Sequence, residues 1–381
     1  IDENKINKIK NGIAPIYEEG LQELIKKNFD RINATTNYEN LDSIVFICVG
    51  TPSLPTGLIN LQYVKQAVEN VAKNLDDGLI IIKSTVFPGT TEKILLPIVR
   101  KYSDKISIAM NPEFLREGMA LHDFMNPDRI IIGVIDERGE KILKKLYTPI
   151  KAPIMVTNPT TAEMIKYASN SFLATKISFA NEIGNLAKIL GIDVYDVMKG
   201  VSMDHRISPY FLNAGAGFGG SCFPKDLRAI ASGAKKLGYD MKLINAVLEI
   251  NDEQPLRLIK LLEKYMSIEG KEIAVLGLAF KANTDDIRES RSIPVIKELI
   301  KKGANVRAYD PMAIENMKKI FDIKYCNSVE EALMNADACI IMTDWKEFED
   351  IDFRNMKNKI VIEGRKILKN REGIIYEGIC W

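Results

Sequence analysis

Apolar residues along this chain follow two different periods, and the period changes from stretch to stretch. Short runs such as Ile44–Val49, Leu79–Lys83 and Ile106–Met110 have the length and β-branched content of strands buried on both faces. Between them, residues 16–28, Leu61–Asn74 and Thr90–Lys101 space their apolar positions as helices do when one side rests on a core. Residues 1–9 open the chain in a helical pattern as well. Strands alternating with helices predict a parallel sheet covered on both faces.

Beyond Ile154 the pattern changes. Pro159 to about Leu190 reads as one long helix, apolar over much of its circumference, with Thr160 and Glu163 spaced as a capping box. Such a helix is expected between domains or subunits. From Lys271 the alternation returns, with a strand in Glu272–Phe280, helix Ser292–Lys302, strand Ala304–Asp310, helix Ile314–Phe321 and a helix capped at Ser328. The strand that follows, Asp337–Thr343, echoes Asp42–Thr51. The pattern predicts two related α/β domains, residues 1–155 and 266–381, flanking a helical centre, residues 156–265.

At 381 residues the chain has room for two or three domains. Its 52 Lys and Arg almost cancel its 51 Asp and Glu, which argues against a nucleic-acid partner. No apolar run approaches the roughly 20 residues needed to span a bilayer, and no secretory pattern occurs. Five cysteines cannot all pair internally and no Cys-x-x-Cys spacing is present, so a reducing cytoplasm is expected and no metal site is called for. Cys48 and Cys339 lie in apolar runs and read as core strand residues.

Cys222 has other surroundings, in Phe218-Gly-Gly-Ser-Cys-Phe-Pro-Lys-Asp226. Gly219 and Gly220 let a ligand approach the backbone, and Pro224 suits the first turn of a helix whose N-terminus favours negative charge on the thiol. On local sequence a nucleophile and a small structural cysteine stand level. Lys166 and Asn170 are four apart and share one face of the long helix, where a lysine is costly without a partner or a task. Asn111–Gly118 follows a strand, at the end where open α/β sheets bind ligands. Its Glu113 and Glu117 could share a face as acid/base groups, or form a solvated charge cluster. Lys281 and Arg288 follow another strand end and could hold phosphate.

Taken together, Gly50-Thr-Pro52, Lys83-Ser-Thr85, Asn111–Gly118, Pro127-Asp-Arg129, the Lys166/Asn170 helix, Gly217–Asp226 and Gly277-Leu-Ala-Phe-Lys281 resemble the nucleotide-sugar dehydrogenases over essentially the whole chain. Glu113-Phe-Leu-Arg-Glu117 is similar to the glucose branch rather than the N-acetylhexosamine branches. The resemblance implies two Rossmann-like parallel-sheet domains joined by a central helical dimerisation region. It further implies NAD as cofactor, UDP-glucose as substrate, and a homodimer formed through the central helices, with a higher oligomer left open. The implied reaction takes the sugar C6 alcohol to a carboxylate in a four-electron oxidation, through a thiohemiacetal and thioester on a cysteine.

By the same resemblance Cys222 is the nucleophile, and Lys166 and Asn170 stabilise charge on the C6 oxygen. Asp226 and Thr85 position water, and Glu113 serves as acid/base in thioester hydrolysis. Phe114, Leu115, Arg116, Phe211, Leu212, Asn213, Phe218, Gly219, Phe280 and Lys281 match substrate-binding positions. So does Arg206, which would reach a neighbouring subunit's site. Arg365 matches too, although Glu363-Gly-Arg365 stands where the family usually has Asp-Gly-Arg. Lys5, Thr51, Thr85, Glu117 and Arg288 match cofactor contacts.

The departure from the family lies at the start. The family opens with a strand and a Gly-x-Gly-x-x-Gly turn for the dinucleotide pyrophosphate, then an acid for the ribose, and neither precedes Ile1 here. The first domain is therefore expected to be incomplete at its N-terminus, with exposed sheet edges and weak NAD binding unless a separate N-terminal segment completes it. Three alternatives accompany the leading reading: a UDP-N-acetylhexosamine 6-dehydrogenase, a two-electron hydroxyacid dehydrogenase that would not need Cys222, and an inactive UDP-sugar-binding fragment.

Overall fold

The computed structural model describes residues 2–381, which divide into two compact units at Ser169/Asn170. In the first unit five strands, β1 (Ile44–Ile47), β2 (Gly78–Ile82), β3 (Ile106–Met110), β4 (Ile130–Val134) and β5 (Ile154–Thr157), form a sheet in sequence order. The two-residue period of β2 divides its side chains between two cores. Ile80 and Ile82 pack with Val64, Val68 and Val71 of helix Gln62–Lys73, whereas Leu79 and Ile81 join Leu143 of helix Glu137–Leu146. All of these side chains are almost fully buried, each burial contributing about 1.5–3 kcal/mol.

Several expectations change here. β1, β2 and β3 run parallel, as do β4 and β5, but β4 lies antiparallel to β3. The connection from β3 to β4 holds a loop and one short helix, Ala120–Met125, and it turns the chain back instead of carrying it across the sheet. Of residues 16–28 only Leu21–Lys27 is α-helical. Helix Thr90–Lys101 becomes a π turn, Thr91–Leu95, followed by Leu96–Arg100, with Pro97 lacking an N–H at the junction. Cys48 is not a core residue. It stands exposed just after β1, which forms one edge of the sheet and leaves Phe46 38% accessible.

The long helix spans Pro159–Ile189, and Thr160 and Glu163 do not form its capping box. Asn158 takes the capping role, its Oδ1 accepting from Thr161 N at 2.8 Å, while Thr160 donates to Glu92. Glu163 is buried and accepts from Gly89 N at 2.5 Å, Thr91 N at 2.8 Å and Thr91 Oγ1 at 2.6 Å. The carboxylate thus ties the turn after β2 to the first part of the helix.

In the second unit β6 (Glu272–Leu276), β7 (Asn305–Tyr309), β8 (Lys324–Tyr325), β9 (Ala338–Ile341), β10 (Ile360–Glu363) and β11 (Ile375–Gly378) form a sheet ordered β11-β10-β9-β6-β7-β8, with every pair parallel. The echo between Asp337–Thr343 and Asp42–Thr51 joins strands in different positions, since β9 is interior and β1 is an edge. At the carboxyl end of β7, buried Asp310 accepts from Leu278 N, Ala279 N, Met312 N, Ala313 N and Trp345 Nε1, at 2.7–3.0 Å. That clamp sets the turn leaving β6, from which Phe280 and Lys281 follow. Ser328 caps helix Val329–Leu333 as expected, its Oγ accepting from Glu331 N at 3.2 Å.

Candidate active site

In the second unit, the glycine-rich segment leads directly into helix Phe223–Lys236. Cys222 is the residue before that helix, exposed, with Pro224 in the first turn where a missing N–H costs nothing. Its Sγ lies 3.5 Å from Ser221 Oγ. One turn on, Asp226 is 1% accessible, and its two carboxylate oxygens are both occupied. Asn170 Nδ2 donates to Oδ2 at 2.7 Å and Lys225 Nζ to Oδ1 at 2.6 Å. A buried carboxylate is tolerable only with such partners. The arrangement presents a thiol at a helix N-terminus beside an ordered carboxylate–amide pair, which suits covalent catalysis followed by water attack.

The loop before Cys222 is held from several sides. Asn251 bonds both backbone groups of Phe218, accepting from its N–H at 2.7 Å and donating to its carbonyl at 3.0 Å. A Cβ on Gly219 would lie 2.4 Å from the Glu289 carbonyl oxygen, and one on Gly220, whose φ is +83°, would lie 2.8 Å from the Phe280 ring. Gly220 N also donates to Arg288 O at 2.9 Å. Glu289 is in turn held by Arg228 at 2.7 Å and by Arg291 at 3.1 Å. The two guanidinium groups keep its carboxyl below the usual range although burial pushes it up.

Phe223 stands between Phe211 and Phe218 with ring centroids 6.1 and 5.9 Å away. Leu212 is buried and Asn213 exposed. Lys281 Nζ lies 5.6 Å from the Phe280 ring centre. Arg365 donates to Gly217 O at 2.8 Å, so the Glu363-Gly-Arg365 segment supports this loop. Arg288 chelates Asp286, with Nε 2.8 Å and NH2 2.6 Å from Oδ2, and exposed Arg206 pairs with Asp204.

In the first unit, Asn111–Gly118 is a loop, not a helix, so Glu113 and Glu117 do not share a helical face. Glu113 Oε2 accepts from Leu115 N at 2.7 Å, and Oε1 pairs with Lys166 Nζ at 3.0 Å. Lys166 is 3% accessible, and this carboxylate is the partner its burial requires. The Phe114 ring lies 3.9 Å from the Arg129 guanidinium carbon and 5.4 Å from Lys166 Nζ. Arg116 is committed to Asp123 through Nε at 2.9 Å and NH2 at 2.7 Å, a pairing that draws the Asp123 carboxyl down to about 2. Leu115, Thr85 and Glu117 are half-buried, Thr51 is buried, and Lys5 is exposed on helix Glu3–Lys10.

Sequence reasoning passed over Lys225, Asn251 and Arg129. Lys225 adjoins Asp226 and was legible. Arg129 belongs to Pro127-Asp-Arg129, whose sequence alone implies no contact for it, and Asn251 sits 33 residues from its partner with no local signal.

Three models of one protein family match successive parts of the chain. Residues 1–151 match the NAD binding domain of the UDP-glucose/GDP-mannose dehydrogenase family, residues 160–253 its central domain and residues 274–370 its UDP binding domain. This chain belongs to the UDP-glucose/GDP-mannose dehydrogenase family. It is 44% identical to the UDP-glucose 6-dehydrogenase AglM of Haloferax volcanii, over 100% of this chain and 93% of that protein. Identity is 42% with the UDP-glucose 6-dehydrogenase TuaD of Bacillus subtilis, over 100% and 86%. A solved UDP-glucose dehydrogenase from Pyrobaculum islandicum superposes with a TM-score of 0.96 at 42% identity, covering 100% of this chain and 91% of that one.

Family membership makes NAD the cofactor. Thr51, Thr85 and Glu117 follow the carboxyl ends of β1, β2 and β3, the end at which open α/β sheets take their ligands. Among the described residues the Gly-x-Gly-x-x-Gly spacing occurs at Gly215-Ala-Gly-Phe-Gly-Gly220, in the segment that leads to Cys222, and not after a strand of the first unit, where it would take a pyrophosphate. Among those residues no helix is long and apolar enough to cross a membrane, and no cluster of His, Cys, Asp and Glu could hold a metal ion.

Proposed function

We propose that this dehydrogenase oxidises the C6 alcohol of UDP-glucose to the carboxylate of UDP-glucuronate, in two two-electron steps on one enzyme. The observation that carries the proposal is Cys222 exposed at a helix N-terminus, with buried Asp226 one turn away held by Asn170 and Lys225. NAD, when bound, supplies the hydride acceptor for each oxidation. The Cys222 sulfur forms a bond to C6 at the aldehyde level, and the resulting thiohemiacetal gives up its second hydride as the thioester forms.

Lys166 and Asn170 carry opposite partial answers to one need, a cation and an amide donor for negative charge on the C6 oxygen. In hydrolysis the oxygen of water bonds C6 as the C6–S bond breaks and thiolate leaves. Glu113 takes the proton from that water, and Asp226 and Thr85 orient it. Phe114, Leu115, Arg116, Phe211, Leu212, Asn213, Phe218, Gly219, Phe280, Lys281 and Arg365 are proposed to bind the nucleotide sugar. Lys5, Thr51, Thr85, Glu117 and Arg288 are proposed to serve NAD. Residues 1–155, 156–265 and 266–381 are the proposed working divisions.

A homodimer through the central helices completes the proposal, with Arg206 entering the neighbouring site. Phe172, Phe179 and Leu186 recur every seven residues on the long helix and are 66%, 46% and 54% accessible, an apolar stripe that suits a second copy. The five cysteines, all free, suit a reducing cytoplasm.

The test is stoichiometry. Two NADH should form per UDP-glucose consumed, and Cys222→Ala should lose the second oxidation. One NADH per sugar in the unaltered enzyme overturns the proposal.

A further inference from the structure

Lys83, directly after β2, makes contacts that the roles above do not use. Its Nζ donates to Asn111 Oδ1 at 2.9 Å and to the Tyr147 hydroxyl at 3.4 Å, and lies 5.9 Å from the Tyr147 ring centre. The Tyr147 hydroxyl donates to the same Asn111 oxygen at 2.5 Å. Asn111 Nδ2 donates to Ile131 O at 2.8 Å and its backbone N–H to Ile82 O at 2.9 Å. Asn111 is thus fixed at every polar end of its side chain and is 1% accessible. Two residues later comes Glu113, paired with Lys166.

These contacts join the ends of β2 and β3 at the root of the loop that carries Glu113. The charged and titratable groups facing Lys83 are Glu113 on that loop, Lys166 on the long helix, Cys48 after β1 and Tyr147 at the end of helix Glu137–Leu146. Burial lowers the Lys83 amine to about 8, with the Lys166 cation adding to the effect while Cys48 and Glu113 oppose it. The two hydrogen bonds of this amine go to neutral groups.

We infer that Lys83 is a positioning residue for thioester hydrolysis, acting through Asn111 to fix the root of the 111–118 loop and hence the place of Glu113 against Lys166. The inference deepens the proposed reaction and rests on it. In that step the proton of the attacking water passes to Glu113 while the C6–S bond breaks. A displacement of about 1 Å in such a group slows a reaction about 10²-fold. Loosening the loop therefore slows hydrolysis more than the steps that precede it, and acylated Cys222 accumulates.

The experiment is intact-mass measurement of enzyme quenched during turnover with UDP-glucose and NAD, for the unaltered chain, Lys83→Met, Lys83→Gln and Lys83→Arg. The neutral variants should carry the UDP-glucuronyl adduct on Cys222 in most molecules. Their kcat should fall about 10- to 100-fold and the KM for UDP-glucose should fall with it, leaving kcat/KM within about twofold because the steps before hydrolysis are unchanged, and Lys83→Arg should recover about tenfold of the loss in kcat. Wild-type turnover in a neutral variant, or slowing without an adduct, overturns the inference. So does insolubility of both neutral variants, which assigns Lys83 to folding alone. One NADH per sugar in the unaltered enzyme would overturn the reaction itself, whereas two NADH per sugar with no adduct in the variants overturns only the role of Lys83.

Discussion

Asn251 pairs with both peptide groups of Phe218, taking its N–H at 2.7 Å and giving to its carbonyl at 3.0 Å, in the manner of a strand neighbour supplied by a side chain. Both residues are buried. Replacing Asn251 with Ala leaves two backbone groups without partners, at a cost of about 2–4 kcal/mol. The melting temperature should fall by about 5–10 °C and UDP-glucose affinity with it, measured by calorimetry with and without the nucleotide sugar. An unchanged melting temperature would contradict the clamp.

Asp226→Asn keeps the volume of the side chain but turns one of its two acceptors into a donor. Either Asn170 or Lys225 then loses its partner. The expected result is a kcat lower by about 10²–10³ with KM changed much less, as the role proposed for the pair toward the reacting atoms requires. Steady-state NADH formation separates the two constants, and an equal loss in both would move Asp226 to a binding role.

Gly219→Ala tests the loop by volume alone. The added methyl would meet the Glu289 carbonyl oxygen at 2.4 Å, so the backbone must shift. We expect about 1–3 kcal/mol of destabilisation and at least a tenfold weaker affinity for UDP-glucose by titration calorimetry. A variant that binds as tightly as the parent would show that the loop has room to yield.

Glu163 supplies a pH test. Burial pushes its carboxyl up to about 7, opposed by the donors from Thr91 and Gly89, with the Glu92 charge adding to the rise. The folded state therefore holds this proton up to about pH 7, whereas the unfolded chain releases it near the ordinary value of 4.5. The stability this group contributes is complete below the ordinary value and is lost as pH rises through about 7. Relative to Glu163→Gln, which has no such proton, the unaltered protein should lose about 2–6 °C of melting temperature across that window. A difference that stays constant with pH would dispose of the shift.

Strands and the long helix were legible because their signals are local. β3 was read at its observed ends, and Pro159 with the apolar tract behind it marked the long helix. The antiparallel turn into β4 was not legible, since no residue in a strand declares the direction of its neighbour. Cys48 misled for a related reason: an apolar run looks the same in an edge strand and in an interior one. Thr160 and Glu163 had the spacing of a cap, yet Glu163 found donors on a turn more than 70 residues away. Within the second unit, the glycines around Cys222 announced a close approach, while the groups that approach, Glu289 and Phe280, lie far along the chain.

The helix that begins after Cys222 has one more consequence. The Cys222 carbonyl accepts the backbone N–H of Asp226 at 2.8 Å, so the residue that would carry the acyl group and the residue that would orient its attacker share a single helical turn. The Cys222 side chain is exposed, so its sulfur can turn without disturbing that backbone hydrogen bond. In the proposed reaction, the sulfur takes up and gives back the acyl group on a turn that is already closed by its own hydrogen bond.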